Sequence, residues 1–157
     1  MVAQAQEEGY TEPDPRLDLS GTDVARKTLI LAREAGYPLQ IEEIENIGFL
    51  PEACMEGSVE HFYEKLSEYE EHFKALLSDA KQEGKILKYV AEFKEGKAKV
   101  GLQHVASESD LFHLYGKDNI VIFKTLRYSE QPLVIKGAGA GAEVTASGIF
   151  ADIIRSI

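Results

Sequence analysis

The spacing of apolar residues changes at Gly84, and this change limits the folds open to the chain. Over residues 59–80, apolar side chains recur every three or four positions, which is typical of a helix with one buried face. Ser58 supplies an N-cap and Gly84 a C-terminal stop. Beyond Gly84, ILKYVAEF and AKVGLQHV flank a KEGK turn, which predicts a β-hairpin. Helices followed by strands favour an α+β fold, with a mixed or antiparallel β-sheet packed against helices.

The N-terminal part of the chain shows two further helical patterns. Residues 1–8 are typical of the end of a helix, and because no start signal precedes them we expect the chain to be a fragment of a longer protein. Residues 10–19 predict a loop. Ser20, with Asp23 three residues later, predicts a capping box at the start of a helix that ends at Gly36.

Shorter patterns complete the predicted order of elements. Residues 41–44 favour a helical turn and residues 47–50 an extended segment before a proline. Residues 119–128 and 133–136 are rich in β-branched and other apolar side chains and predict a second strand pair. Residues 144–155 predict a final helix.

Length and charge exclude several classes of protein. A chain of 157 residues predicts one domain over residues 1–157. The net charge of −10 argues against a nucleic-acid partner, because such proteins need basic residues to neutralise phosphates. Most of the excess acid lies in residues 41–83, as expected for a solvated helix face. No apolar run has the roughly 20 residues of a membrane helix, so we expect no membrane association.

Cysteine and histidine offer few candidates for chemistry. The single cysteine, Cys54, excludes an internal disulfide and fits a reducing compartment such as the cytoplasm. It is a nucleophile in one interpretation and an inert thiol in the favoured one. His61 and His72 share the acidic helix, where a solvated face is favoured over a metal site. We predict no metal site.

The segment before and at the start of the second helix concentrates charged residues. Asp23 and Lys27 are four apart and share a helix face, with Glu12 and Asp18 close by in the sequence. One interpretation is a surface ion pair worth about 0.3–0.5 kcal/mol. The other is a polar pocket, in which carboxylates hold an amino group and Lys27 either donates a proton to a carbonyl group or polarises it.

A glycine-rich loop precedes the final helix. Gly137, Gly139 and Ala142 match G-x-G-x-x-G/A after a strand, a pattern that places backbone N–H groups around a phosphate. A tight packing turn explains the same residues. The acidic residue expected about 20 positions later is absent, so the loop does not begin a complete Rossmann unit.

The segment GYTEPDPRLDLSGTDVARKTLILAR resembles the hallmark motif of homoserine dehydrogenases. The similarity continues through LKYVAEF and KDNIVIFKTLRYSEQPLVIKGAGAGAEVTASGIFADII, so it covers essentially the whole chain. It implies the substrate-binding and dimerisation domain of such an enzyme, often part of a bifunctional aspartokinase/homoserine dehydrogenase. The family interconverts L-homoserine and L-aspartate 4-semialdehyde with NADP or NAD, in threonine, methionine and isoleucine biosynthesis.

The resemblance also implies roles for individual residues. Glu12, Asp18 and Asp23 match positions that bind the amino end of the substrate or order the site, and Lys27 matches a lysine that transfers a proton. Gly141 matches a cofactor-contacting position, and we predict that Gly137, Gly139 and Thr145 contact the cofactor with it. The cofactor would be held mainly by an N-terminal dinucleotide-binding domain that this chain lacks, so the chain alone is expected to be inactive. The alternative is a non-catalytic module that binds an amino acid or nucleotide, or that oligomerises.

Overall fold

The computed structural model describes residues 2–9, 11–116, 118–139 and 141–156. Met1 and Tyr10, which belong to the predicted N-terminal helix and loop, lie outside the described residues. The chain divides into two compact units, Met1–Ala106 and Ser107–Ile157. The helices are α1 (Val2–Glu7), α2 (Arg16–Leu19), α3 (Thr22–Glu34), α4 (Val59–Glu68), α5 (Glu70–Gln82) and α6 (Ala142–Arg155). The strands are β1 (Ile44–Ile47), β2 (Ile86–Lys94), β3 (Lys97–Val105), β4 (Asp118–Phe123) and β5 (Leu133–Ala138).

The predicted α+β class is confirmed. In the first unit the strands form a sheet of order β1-β3-β2, in which β3 pairs antiparallel with β2 and parallel with β1. The sheet is therefore mixed, and helices pack against it. In the second unit β4 and β5 form an antiparallel pair, and α6 follows β5 in the chain.

Helix α3 packs on the three-stranded sheet through small side chains. Ala25, Thr28 and Ala32 are its buried residues, and the alanines share a core with Ile44 and Val100 of the sheet. The Thr28 hydroxyl donates to the carbonyl of Val24 at 2.7 Å, which satisfies the buried polar group. Small residues let the helix backbone approach the strands closely.

The start of α3 differs from the prediction. The helix begins at Thr22 and its N-cap is Gly21, which has a left-handed φ of 76°. Ser20 ends α2 instead, and its hydroxyl donates to the carbonyl of Leu17 at 3.0 Å. The predicted capping box is wrong because Gly21 and not Ser20 is the N-cap, and among the described residues no side chain caps this end of α3.

The long acidic helix is divided at Tyr69 into α4 and α5. Ser58 caps α4 as predicted, since its side chain accepts from the N–H of His61. The halves pack against different elements, α4 on the 3-10 turn Glu52–Cys54 and α5 on β2. A break between them allows each apolar face to meet its own partner.

The predictions of the hairpin β2–β3, of a second strand pair and of the final helix are confirmed. The first strand of that pair was predicted over residues 119–128, but β4 ends at Phe123. Residues 41–44 were expected to form a helical turn, and a 3-10 turn occurs at Ile41–Glu43. The extended segment predicted at residues 47–50 lies earlier, at Ile44–Ile47. Parallel pairing of Ile44 with Ala98 places the Ile44 side chain in the core, and burial decides the register. Within the described residues, no helix is long and apolar enough to cross a membrane.

Candidate functional site

Glu12 and Asp18 lie on a loop and on the short helix α2 that follows it, and an ion pair within this segment holds it in place. Arg16 donates to both carboxylate oxygens of Asp14, with a shortest distance of 2.6 Å. The same guanidinium donates to the backbone carbonyls of Met55, Glu56 and Gly57, at 2.9–3.3 Å. One arginine therefore links the loop to a segment about 40 residues away, as a planar five-donor group can. Tyr63 and Gln6 add a second link to this loop, since Tyr63 Oη donates to Gln6 and Gln6 Nε2 donates to the Pro13 carbonyl.

The Asp14–Arg16 pair also favours the ionised form of the Asp14 carboxyl group. Hydrogen bonding from the Arg16 side chain holds the pKa of Asp14 below its ordinary value of 3.8. A carboxyl group with a depressed pKa stabilises the fold above its unfolded pKa, and that stability is lost as the pH falls through the folded pKa. The pair should therefore contribute fully at neutral pH and lose its contribution in acid.

We expect Asp14→Asn to lower the melting temperature at pH 6–7 and to have less effect below about pH 4. Asparagine keeps a side-chain oxygen that can accept from the backbone N–H of Arg16. The substitution therefore removes the negative charge and leaves the hydrogen bond of the turn in place. Thermal unfolding of the unchanged chain and of the Asp14→Asn variant, between pH 3 and pH 7, measures the difference in melting temperature at each pH. Asp79→Asn is the control, since Asp79 has no ion pair among the described residues. A difference in melting temperature that does not change with pH would contradict a stabilising role for the charge of Asp14.

Glu12 and Asp18 lie close together, but their carboxylates differ in what they contact. The Asp18 carboxylate accepts from the backbone N–H of Glu12 at 2.9 Å, across the loop. The exposed Glu12 carboxylate has no hydrogen bond or ion pair with the described residues. It is therefore available to a ligand that carries a positive charge.

Asp23 and Lys27 form the ion pair expected from their spacing. The distance from Lys27 Nζ to Asp23 Oδ2 is 2.7 Å, and the side chains are 66% and 59% exposed. The first turns of α3 thus present an ammonium group whose direction is set by a carboxylate. Among the described residues, no hydrogen bond or ion pair joins this pair to Glu12 or Asp18. The structure places the four residues on adjoining elements, and by exposure alone the pair is an ordinary surface ion pair.

Sequence analysis did not single out three residues beneath this site. Tyr89 of β2 and Asn46 of β1 contact the backbone at Ser20 and Gly21. No local pattern identifies Asn46 or Tyr89, because they lie 26 and 69 residues after Ser20 in the sequence. Gly21 carries the one local signal, a glycine in the first turn of the predicted helix.

The glycines of the glycine-rich loop differ in their backbone conformation and in what surrounds them. Gly141 is the N-cap of α6 and has a φ of 131°, a conformation that side chains other than glycine rarely adopt. A Cβ at Gly139 would overlap the side-chain amide of Asn119, which supports the packing interpretation. Among the described residues, nothing lies within 4 Å of a Cβ position at Gly137, and Thr145 is exposed in the first turns of α6. The preceding strand pairs antiparallel with β4, as a Rossmann unit would not.

The loop nevertheless fits a phosphate group in one respect. The first N–H groups of a helix have no partner within that helix, and in α6 the first helical bond runs from Thr145 N to the Gly141 carbonyl. In the part of the chain that the structure describes, no side chain caps this end of α6. Residues at this end of α6 could therefore contact the phosphates of a dinucleotide.

Cys54 and the helix histidines show no arrangement for chemistry. Cys54 is buried, and desolvation raises the pKa of its thiol, which supports the inert interpretation. His61 Nδ1 lies 3.6 Å from Glu64 Oε2, and His72 Nε2 lies 3.1 Å from the Phe49 carbonyl oxygen. In the part of the chain that the structure describes, no group of three or more His, Cys, Asp or Glu could hold a metal ion.

The sequence profile of homoserine dehydrogenases matches residues 1–154. This chain belongs to the homoserine dehydrogenase family. It is 47% identical to the bifunctional aspartokinase/homoserine dehydrogenase of Haemophilus influenzae, over 100% of the chain but 19% of that protein. It is also 47% identical to the homoserine dehydrogenase of Paracoccidioides brasiliensis, over 99% of the chain and 43% of that protein. The chain thus spans less than half the length of these curated relatives.

Solved structures agree with the family assignment. A crystal structure of a Candida auris protein of unknown function has a TM-score of 0.89 and 42% identity, and the match covers 98% of this chain and 44% of that one. A hyperthermophilic archaeal homoserine dehydrogenase solved in complex with NADPH has a TM-score of 0.65 and 25% identity, over 98% of this chain and 38% of that one. A homoserine dehydrogenase with this fold therefore binds a nicotinamide cofactor.

Proposed function

We propose that this chain is the substrate-binding part of a homoserine dehydrogenase, which interconverts L-homoserine and L-aspartate 4-semialdehyde. The observation that carries the proposal is the arrangement within residues 12–27, where a free carboxylate lies in the same anchored segment as an ion-paired lysine. The substrate carries an ammonium group at one end and a hydroxyl or carbonyl oxygen at the end of its side chain. A carboxylate can bind the ammonium group, and a lysine can exchange a proton with the oxygen.

In the proposed reaction Glu12 and Asp18 bind the ammonium group of the substrate and orient it. The Asp23 carboxylate holds Lys27, whose ammonium donates a proton to the carbonyl oxygen during reduction of the semialdehyde. The nicotinamide cofactor supplies the hydride in that direction and accepts it in the other. In the oxidation of homoserine, Lys27 takes the proton from the hydroxyl group. Asp23 is thus a positioning residue for Lys27.

The cofactor-contacting residues in this proposal are Gly137, Gly139, Gly141 and Thr145. Support comes from the N–H groups at the start of α6 that have no partner within that helix and from the NADPH complex of the archaeal relative. NADP and NAD both fit such a phosphate contact. The described residues include no acid at the end of a second parallel strand to read a ribose, so we propose that most cofactor contacts come from another part of the protein.

We further propose that residues 1–157 act within a longer polypeptide, called the full-length enzyme below, whose other part binds the dinucleotide. The greater length of the relatives supports this proposal. The full-length enzyme would be a homodimer, and apolar side chains exposed on β5 and α6 offer surface for a partner. Its cytoplasmic location stays a prediction.

Glu12→Gln in the full-length enzyme tests the substrate contact. We expect the KM for homoserine to rise about 10- to 100-fold, because a hydrogen bond to a charged group is worth roughly 1.5–3 kcal/mol. The KM for the cofactor should not change. Glu7→Gln is the matched control, since Glu7 is exposed on α1 and has no ion pair within the described residues. An unchanged KM for homoserine in Glu12→Gln would remove Glu12 from the site.

The chain by itself should have negligible dehydrogenase activity. The physical reason is that hydride transfer needs the cofactor held against the substrate, and correct positioning can account for about 7–11 kcal/mol of a barrier. Homoserine-dependent reduction of NADP is measured for residues 1–157 and for the full-length enzyme. The Paracoccidioides brasiliensis relative serves as the positive control. Comparable rates for the chain and the full-length enzyme would refute this prediction.

A further inference from the structure

Two polar side chains on the sheet form a support for the start of α3. Asn46 on β1 lies opposite Val100 of β3, and Tyr89 on β2 lies opposite Leu102. Directly opposed residues share a face of a sheet, and residues two apart on one strand do so as well. Both side chains therefore lie on the face that carries the core residue Val100, which α3 covers.

The two side chains are joined to each other and to the backbone above them. Tyr89 Oη donates to Asn46 Oδ1 at 3.3 Å, and Asn46 Nδ2 donates to the Ser20 carbonyl at 2.8 Å. Burial raises the pKa of Tyr89, so its hydroxyl remains a donor at neutral pH. Gly21 lies directly on this pair, since a Cβ there would overlap the Tyr89 hydroxyl and lie 2.8 Å from Asn46 Oδ1.

The backbone held in this way connects the proposed site residues. Ser20 follows Asp18 by two residues and precedes Asp23 by three. Hydrogen bonds on Ser20 itself join it to Leu17 and Thr22 on either side. A shift of Ser20 would therefore move the carboxylates of Asp18 and Asp23, and Lys27 would move with its ion-pair partner.

From this geometry we infer that Asn46 and Tyr89 are positioning residues for the reaction, acting through Ser20 and Gly21 on Asp18, Asp23 and Lys27. This inference rests on the proposed function. Neither residue touches the reacting atoms. The pair holds the backbone of Ser20 and Gly21 at a defined position above the sheet. A displacement of about 1 Å in catalytic groups costs up to about a hundredfold in rate.

The test is Tyr89→Phe and Asn46→Ala in the full-length enzyme. Phenylalanine keeps the ring, which packs edge-on against Phe49, and removes only the hydroxyl. We expect each variant to lower kcat about tenfold and to raise the KM for homoserine severalfold, with the KM for the cofactor unchanged. Because both residues act through Ser20, the fold-decrease in kcat of the double variant should be smaller than the product of the two single fold-decreases. Tyr37→Phe, at the other end of α3, is the control, since the described residues offer its hydroxyl no hydrogen bond.

The outcomes separate the inference from the proposed function. A purely structural role would lower the melting temperature and scale kcat with the folded fraction, while leaving the KM for homoserine unchanged, and that result overturns the inference. If Lys27→Ala lowers kcat and the two sheet variants behave like Tyr37→Phe, the inference alone fails. If Lys27→Ala also has no effect on kcat, the proposed function fails and the inference fails with it.

Discussion

Lys27→Ala in the full-length enzyme is expected to lower kcat by about 10²- to 10⁴-fold and to change the KM for homoserine little. The reason is that a proton donor acts mainly in the transition state, where charge develops on the substrate oxygen. Loss of such a group lowers kcat and kcat/KM together. In the folded chain the lysine is mostly exposed, so its removal should not disturb the core. Steady-state kinetics in both directions measure the effect.

Two further variants give this experiment its controls. Asp23→Ala removes the carboxylate 2.7 Å from Lys27 Nζ. If the pair were an ordinary exposed bridge, the loss would cost only about 0.3–0.5 kcal/mol of stability and leave turnover intact. We expect instead that turnover falls, by less than in Lys27→Ala. Lys81→Ala, on the exposed face of α5, should leave kcat unchanged. A change in KM alone for Lys27→Ala would reduce Lys27 to a binding residue.

Gly21→Ala should be the most destabilising single substitution in the segment between α2 and α3. A left-handed conformation costs a residue with a Cβ about 1–2 kcal/mol, and φ at Gly21 is 76°. The new methyl group would also overlap the hydroxyl of Tyr89, and such overpacking costs about 1–3 kcal/mol. Together these effects predict a loss of about 3 kcal/mol. In a protein of this size that lowers the melting temperature by about 10 °C.

A second glycine separates the two causes of this loss. Gly36, after the C-terminus of α3, has a similar φ of 89°, and no atom of the described residues lies within 4 Å of its Cβ position. Gly36→Ala should therefore cost only the conformational part, about 1–2 kcal/mol. Combining Gly21→Ala with Tyr89→Ala should cost less than the sum, since the overlapping hydroxyl is then absent. Equal losses at Gly21 and Gly36 would contradict the close packing that we describe.

The elements that sequence analysis predicted well are those whose signals are local. The hairpin β2–β3 follows from alternating apolar residues on either side of a short turn. The cap at Ser58 forms as predicted because its donor, the N–H of His61, is three residues away. The Asp23–Lys27 pair follows in the same way from helical spacing, and the structure contains it at 2.7 Å.

The predictions that were wrong depend on contacts between distant parts of the chain. The helix after α2 was expected to start at Ser20, but Asn46 and Tyr89 hold the backbone there and Gly21 takes a left-handed conformation. The helix over residues 59–80 was expected to be continuous, but α4 and α5 pack against different elements. Neither effect leaves a local pattern in the sequence.

By itself, the sequence determined the α+β class, the family and the candidate residues Glu12, Asp18, Asp23 and Lys27, because these follow from local spacing and from a contiguous motif. Only the tertiary structure decided how that motif is held. Arg16 joins its loop to carbonyl groups about 40 residues away, and two sheet side chains support its backbone at Ser20. Hydrogen bonds between distant residues depend on where the chain brings donors and acceptors together, and only the folded backbone specifies those positions.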